Sequence, residues 1–438
     1  MTRAGGLVIG VTVVLVGLAA GAGWVSREAA PPPARTTTLK VSEALGAKAG
    51  GDEGYTRALE PREFHFPEDH GPHAGFRNEW WYWTGHLATA EGREFGYQFT
   101  LFRSALAPGE SERTSAWGAR QIYMGHLTVS DLQGGRFHAF ERFSRSALEL
   151  AGARTEPFRV WLEDWSAEAV GGEPLPLRLT ARSGDVSLSL VLEEGKPVVL
   201  QGERGLSQKG SELGNASYYY SLPRMPTRGE VTVGGNAYPV TGESWMDREW
   251  STSALGKEQV GWDWFSLQLS DGSELMYYQL RRRDGTVDPF TSGTLIPARG
   301  EPVHLTAKDA RLEVLDTWKS PRTGVEYPAR WRLVLPSRDL SLEVTPALAD
   351  QELPVTVRYW EGAVRLSGKH EGQPVEGRGY VELTGYGDSP PARAERPCRM
   401  GQTISKWTEL SHDRLGQERC AEWLLLQLPG GLRQLRPQ

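Results

Sequence analysis

Cysteine is nearly missing from this sequence: Cys398 and Cys420 are the only two in 438 residues, so no cysteine cluster is available to hold zinc or iron. A basic excess is missing as well. Lys and Arg number 49 against 55 Asp and Glu, for a formal net charge of -6, and no basic stripe interleaved with aromatics occurs, so nucleic acid is not an expected partner. Helical periodicity is absent until about the last forty residues, where "DRLGQERCAEWLLLQL" has the pattern of an outer helix. The signatures HExxH, G-x-S-x-G, the P-loop and a helix-opening G-x-G-x-x-G are all missing, which removes the usual marks of a zinc protease, a serine hydrolase and a nucleotide enzyme. No cofactor is expected.

Aromatic side chains are what the chain has in excess, with 16 tryptophans and 14 tyrosines. Such rings combine apolar area, a polar handle and a cation-attracting face, so function is sought where they cluster. The N-terminus carries Arg3, an apolar run over about residues 5–25 and small residues at Ala20 and Ala22, the pattern of an export signal or of one membrane anchor. Membrane association through residues 5–25, and an exported, periplasmic or secreted location, are therefore expected. No cysteine lies nearby, which argues against a lipoprotein. In an exported chain Cys398 and Cys420 read as one disulfide. Residues 31–60 have linker composition.

From Phe64 onward, short alternating runs separated by Gly, Asp and Asn turns predict an all-β protein. A repeat groups them. Trp81 and Trp83 are followed by a turn, Tyr97 and Gln98; Trp262 and Trp264 are followed by a turn, Tyr278 and Gln279. Each pair of tryptophans would share one strand face. The expected organisation is a signal or anchor (1–30), a linker (31–60), two tandem antiparallel β-barrels (61–245 and 246–395) and a C-terminal extension (396–438). Closed barrels of this size can hold one small ligand, and the inward rings of "EWWYWTG" would line it, with Trp80 and Tyr82 facing the other way.

The segments "HFPEDHGPHAGFRNEWWYWTGHL", "FGYQFTLFR", "GESWMDREWS" and "YWEGAVRLSG...GRGYVELTGY" together resemble the AttH and carotenoid 1,2-hydratase superfamily, whose members are often labelled predicted secreted hydrolases. The resemblance runs from about His65 to Tyr386 and implies two lipocalin-like barrels in tandem. It further implies chemistry such as the addition of water across an isoprenoid double bond or cyclase-like reactions. Gly261 directly precedes Trp262, so the Gly-x-Trp signature of lipocalins is not matched.

"SWMDREWS" would place Asp247 and Glu249 on one strand face with Trp245, and Arg248 and Trp250 on the other. A carboxyl buried among rings is pushed toward its neutral form and becomes a proton donor near neutral pH. Alkene hydration needs that acid, and ring faces stabilise the cation it creates. Asp263, between Trp262 and Trp264, is a second candidate, and the family's proton-donating aspartate matches either Asp247 or Asp263. Glu79, directly before the aromatic run, is a third carboxyl, which also reads as a partner for Arg77 or Arg103. His70-x-x-His73 offers two ligands of a metal site without an evident third, so His65, His70, His73, His86 and His126 read as loop and capping residues and no metal is expected. The ligand wall is expected from Trp81, Trp83, Tyr97, Gln98, Trp245, Trp262, Trp264, Tyr278 and Gln279. The function these residues suggest is a cofactor-independent hydratase or lyase acting on an apolar, isoprenoid or polyene-like molecule. The alternative is a carrier with the same cavity and no turnover.

Overall fold

A computed structural model describes residues 52–109, 118–252 and 255–387. The export or anchor segment, most of the linker, the Cys398–Cys420 pair and the C-terminal extension lie outside the described residues. Among the described residues all regular structure is β, apart from short 3-10 turns at Glu68–His70 and Pro336–Arg338. Two antiparallel sheets account for it. The N-terminal sheet has thirteen strands and curls into a nearly closed barrel; the C-terminal sheet has ten and forms a half-barrel.

The two sheets share a plan. In the first, the hairpin Asn78–Ala88 and Glu94–Ala105 lies at the centre, and the late strand Asn236–Ser251 returns to pair with Asn78–Ala88. In the second, the hairpin Gln259–Leu269 and Glu274–Arg282 is central, and the late strand Gln373–Thr384 returns to pair with Gln259–Leu269. Asn236–Ser251 runs through position 246 as a member of the first sheet, so the sheets divide between Ser251 and Gln259, slightly later than the repeat suggests.

Outer strands alternate as one-sided strands should. Val186–Leu192 buries Val186, Leu188, Leu190 and Leu192 and turns the residues between them outward. The central strand Asn78–Ala88 does not alternate, because the C-terminal sheet covers its second face. Its odd-numbered rings, Trp81 and Trp83, pack inside the first sheet with Tyr97, Phe99 and Leu101. Tyr82 packs in the junction between sheets, with Trp264, Tyr278 and Tyr380, and Trp80 lies against that cluster. The sheets come close at Gly96, where an added Cβ would lie 2.7 Å from both the Ala363 Cβ and the Tyr380 hydroxyl.

The repeat of tryptophans is displaced by one residue from the repeat of structure. Tyr82 lies opposite Asp247 on one side and Thr100 on the other; Trp264 lies opposite Glu382 and Tyr278. Trp264 therefore shares the junction face with Tyr82, whereas Trp83 lies on the other face. Since one residue inverts the face of a strand, Trp262 and Trp264 point to the junction, whereas Trp81 and Trp83 point into the first sheet. Trp81 and Trp262, and likewise Gln98 and Gln279, thus lie on non-equivalent faces of their sheets, although the sequence repeat pairs them.

Candidate functional site

A cavity of about 170 Å³ opens between the two sheets, roughly ten times the ~10–15 Å³ one water requires. Trp80, Tyr82, Phe102, Trp264, Tyr278 and Leu280 give it mostly apolar walls. It lies at the junction and not in the interior of a barrel, because the interior of the first sheet is filled by packed side chains.

Asp247 reaches this cavity from Asn236–Ser251, together with Glu249. Its carboxyl accepts hydrogen bonds from the Tyr219 hydroxyl, from Ser221 Oγ at 2.5 Å and from Trp245 Nε1 at 2.7 Å. Among the described residues no lysine or arginine forms an ion pair with it. Burial pushes its pKa up to about 7 despite the three donors, and the Glu249 charge adds to the rise. The two hydroxyls can turn from donor to acceptor, so either protonation state of Asp247 keeps partners.

The other expected carboxyls are closed by cations. Glu249 accepts from Ser217 and lies 3.3 Å from Lys209 Nζ, which sits 4.0 Å from the centre of the Tyr278 ring. Burial works against the charge of Lys209, but Glu249 and Tyr278 outweigh it and raise the Lys209 pKa. Asp263 points away from the cavity, toward the rim of the C-terminal core. There it binds Arg281 Nε at 2.9 Å and the Tyr386 hydroxyl at 3.0 Å. Burial raises its pKa while Arg281 and Tyr386 oppose the rise. Glu79 is held between Arg103 and Arg248. Burial would raise it, but the two guanidiniums hold it well below the usual carboxylate range. Arg248 also donates to the Gly71 carbonyl at 2.6 Å and lies over Trp81 at 4.0 Å, so this network clamps the segment before the first strand.

Of the expected ligand wall, Trp262, Trp264 and Tyr278 line the cavity. Trp245 stands behind it as a donor to Asp247, and Gln98 as a donor to Thr100 and Tyr359. Trp81, Trp83 and Tyr97 belong to the packed interior of the first sheet, with the Tyr97 hydroxyl 2.6 Å from Ser244 Oγ. Gln279 is half-buried on the opposite face of its strand from Tyr278. The histidines are occupied: His70 bonds the Tyr220 hydroxyl at 2.7 Å, His73 stacks on Trp250 at 3.7 Å, and His86 donates to the Gly379 carbonyl at 2.7 Å. His86 and His126 are not loop or capping residues, since both lie on strands and His126 is also on the cavity wall.

Sequence reasoning missed Glu361 and Glu382, directly opposite each other on neighbouring strands of the second sheet. Glu382 accepts from Trp262 Nε1 at 2.5 Å, and burial lifts its pKa to about 7. Glu361 accepts from the Tyr82 hydroxyl at 2.7 Å and is raised well above the carboxylate range, first by burial and then by Glu382. A glutamate between valine and leucine in "YVELTG" carries the pattern of a solvent-facing position. Only the covering sheet turns it inward.

The family model described as AttH-like matches residues 57–386. Among solved structures, the chain is similar to an AttH protein from Nitrosomonas europaea, at 36% identity over 76% of this chain and 99% of that one, with a TM-score of 0.68. Kievitone hydratase from Nectria haematococca shares the fold at 18% identity, over 76% of this chain and 97% of that one, with a TM-score of 0.60. CghA with Sch210972 shares it at 14% identity, over 78% and 98%, with a TM-score of 0.50. Among curated proteins none matches the chain.

Proposed function

The chain belongs to the AttH-like family, and from that premise we propose that it is a cofactor-independent hydratase or lyase acting on an apolar, unsaturated small molecule of isoprenoid or polyene type. The observation that carries this reading is Asp247: a buried carboxyl on the wall of a mostly apolar cavity, with no cationic partner among the described residues and a pKa of about 7. Such a group delivers a proton near neutral pH. Protonation of a double bond leaves a cation that the faces of Trp80 and Trp264 stabilise, and water completes the addition. The reverse sequence eliminates water. The shared fold of a hydratase supports the reaction class, and the fold alone would support many others. The apolar run 5–25 supports an exported or membrane-anchored setting.

The test is to extract apolar molecules that co-purify with the exported protein, identify them by mass spectrometry, and incubate them with fresh protein in heavy water. A product heavier by one molecule of heavy water, formed by wild type and not by Asp247→Asn, is the expected result. Ligands that bind and return unchanged from wild type would make the protein a carrier.

A further inference from the structure

A second chain of titratable groups runs from the cavity wall outward, apart from Asp247. His126 and Tyr359 both line the cavity, one from each sheet. His126 Nδ1 lies 2.7 Å from the Tyr359 hydroxyl, and His126 Nε2 lies 3.2 Å from Glu141 Oε1. An ionised carboxylate only accepts, so Glu141 fixes the imidazole hydrogen on Nε2 and leaves Nδ1 as an acceptor aimed at the phenol. Glu141 is itself oriented by Thr356, whose backbone N–H and Oγ donate at 3.1 and 2.6 Å. Gln98 Nε2 lies 3.4 Å from the phenol oxygen, and as its donor leaves the phenol hydrogen for His126. This is the order of groups, carboxylate to imidazole to hydroxyl, that activates a nucleophile or a base in other enzymes.

We propose that Glu141, His126 and Tyr359 form a proton relay that makes the Tyr359 hydroxyl the proton acceptor of the cavity, the counterpart of the Asp247 acid. The inference rests on reading the cavity as a hydration site. In the addition, the double bond takes the Asp247 proton and water forms the new C–O bond. The water proton passes to the Tyr359 oxygen as the phenol proton passes to His126 Nδ1, and the imidazolium is stabilised by Glu141. Proton exchange with solvent then returns His126 to neutral and recharges Asp247. Burial, reinforced by the Glu361 charge, raises the Tyr359 pKa well above its ordinary value, so the phenol keeps its hydrogen until His126 accepts it.

The relay predicts an unusually reactive tyrosine, which phenylmethanesulfonyl fluoride, a small apolar probe, can report without knowledge of the substrate. The phenol oxygen attacks sulfur, the O–S bond forms as S–F breaks, fluoride leaves and the phenol proton goes to His126. Peptide mass spectrometry of the whole protein should find Tyr359 labelled faster than Tyr82, Tyr219 and Tyr278, which share its cavity. His126→Gln should slow that labelling about a hundredfold, the lower end of what a positioned base contributes, and Glu141→Gln should slow it less. Glu141→Gln also serves if a thermal melt shows that His126→Gln is unfolded. Labelling of Tyr82, Tyr219 or Tyr278 without Tyr359, or labelling of Tyr359 that ignores both substitutions, would overturn the relay and leave the cavity reading intact. No label on any cavity residue would overturn the relay together with the view that the cavity admits apolar molecules.

Discussion

Asp247 and Asp263 have nearly the same local surroundings in sequence. Both lie on strands, both have tryptophan within two residues, and both are buried. Their chemistry differs because one faces the cavity, with three neutral donors and no cation among the described residues, and the other faces the rim of the second core against Arg281 and Tyr386. Burial raises both, but at Asp263 the Arg281 guanidinium opposes the rise. The pair shows that a carboxyl among rings is not enough to make an acid; the side of the sheet on which it lies decides what it meets.

The largest effect expected from breaking this comparison is catalytic. Asp247→Asn keeps shape and polarity but supplies no comparable proton, so turnover should fall by about a hundredfold to ten-thousandfold with ligand affinity preserved. Asp263→Asn in the same assay should turn over almost normally. Should the two variants exchange these outcomes, the assignment of acid and brace is reversed. Stability measurements sharpen the contrast from the other side. Asp263→Asn leaves Arg281 facing a weaker partner in a buried site and should cost about 1–3 kcal/mol by chemical denaturation.

The aromatic face divides in the same way. Trp83 is packed in the first core, so Trp83→Ala should cost about 3–5 kcal/mol of stability. Trp264 faces the cavity, and Trp264→Leu should keep apolar bulk while removing the ring face. A desolvated cation–π contact of about 2 kcal/mol corresponds to roughly a thirtyfold slower reaction. Comparing the melting curves and rates of the two variants tests whether packing and chemistry are carried by opposite faces of these strands.

The same contrast predicts a pH dependence of stability. Asp247 titrates near 3.8 when unfolded and near 7 when folded, so the unfolded state holds fewer protons between those values. Its stabilising contribution is fully present below about pH 4 and is lost as the pH rises toward about 7. Asp247→Asn should flatten that part of the stability profile, and Asp263→Asn should affect it less. Equal flattening by both would mean that the two carboxyls share one environment. Turnover that depends on protonated Asp247 should likewise decline above about pH 7.

Much of this was legible in the sequence because strands have a period of two. Alternation in "DVSLSLVLEEG" identifies a one-sided strand, and "SWMDREWS" already separates Asp247 and Glu249 from Arg248 and Trp250. The repeated aromatic hairpins announce two related sheets. Where one sheet covers another the pattern stops reporting direction, since both faces of Asn78–Ala88 are buried and both carry aromatic rings, and a repeat read from tryptophans alone can slip by a residue. Trp81 and Trp83 face inward as the alternation requires, but the interior they enter is packed, and the ligand wall lies at the junction instead.

Composition, periodicity and motif order by themselves determined that this chain is an all-β protein of two related sheets with an aromatic site and Asp247 among its acids, because those properties are local and periodic along the chain. The tertiary structure alone decided that the cavity lies between the sheets, that Lys209 and Arg281 neutralise Glu249 and Asp263, and that Glu361, Glu382, His126 and Tyr359 face inward. Burial and ion pairing depend on which distant strand covers a face, and the period of a strand carries no record of its cover.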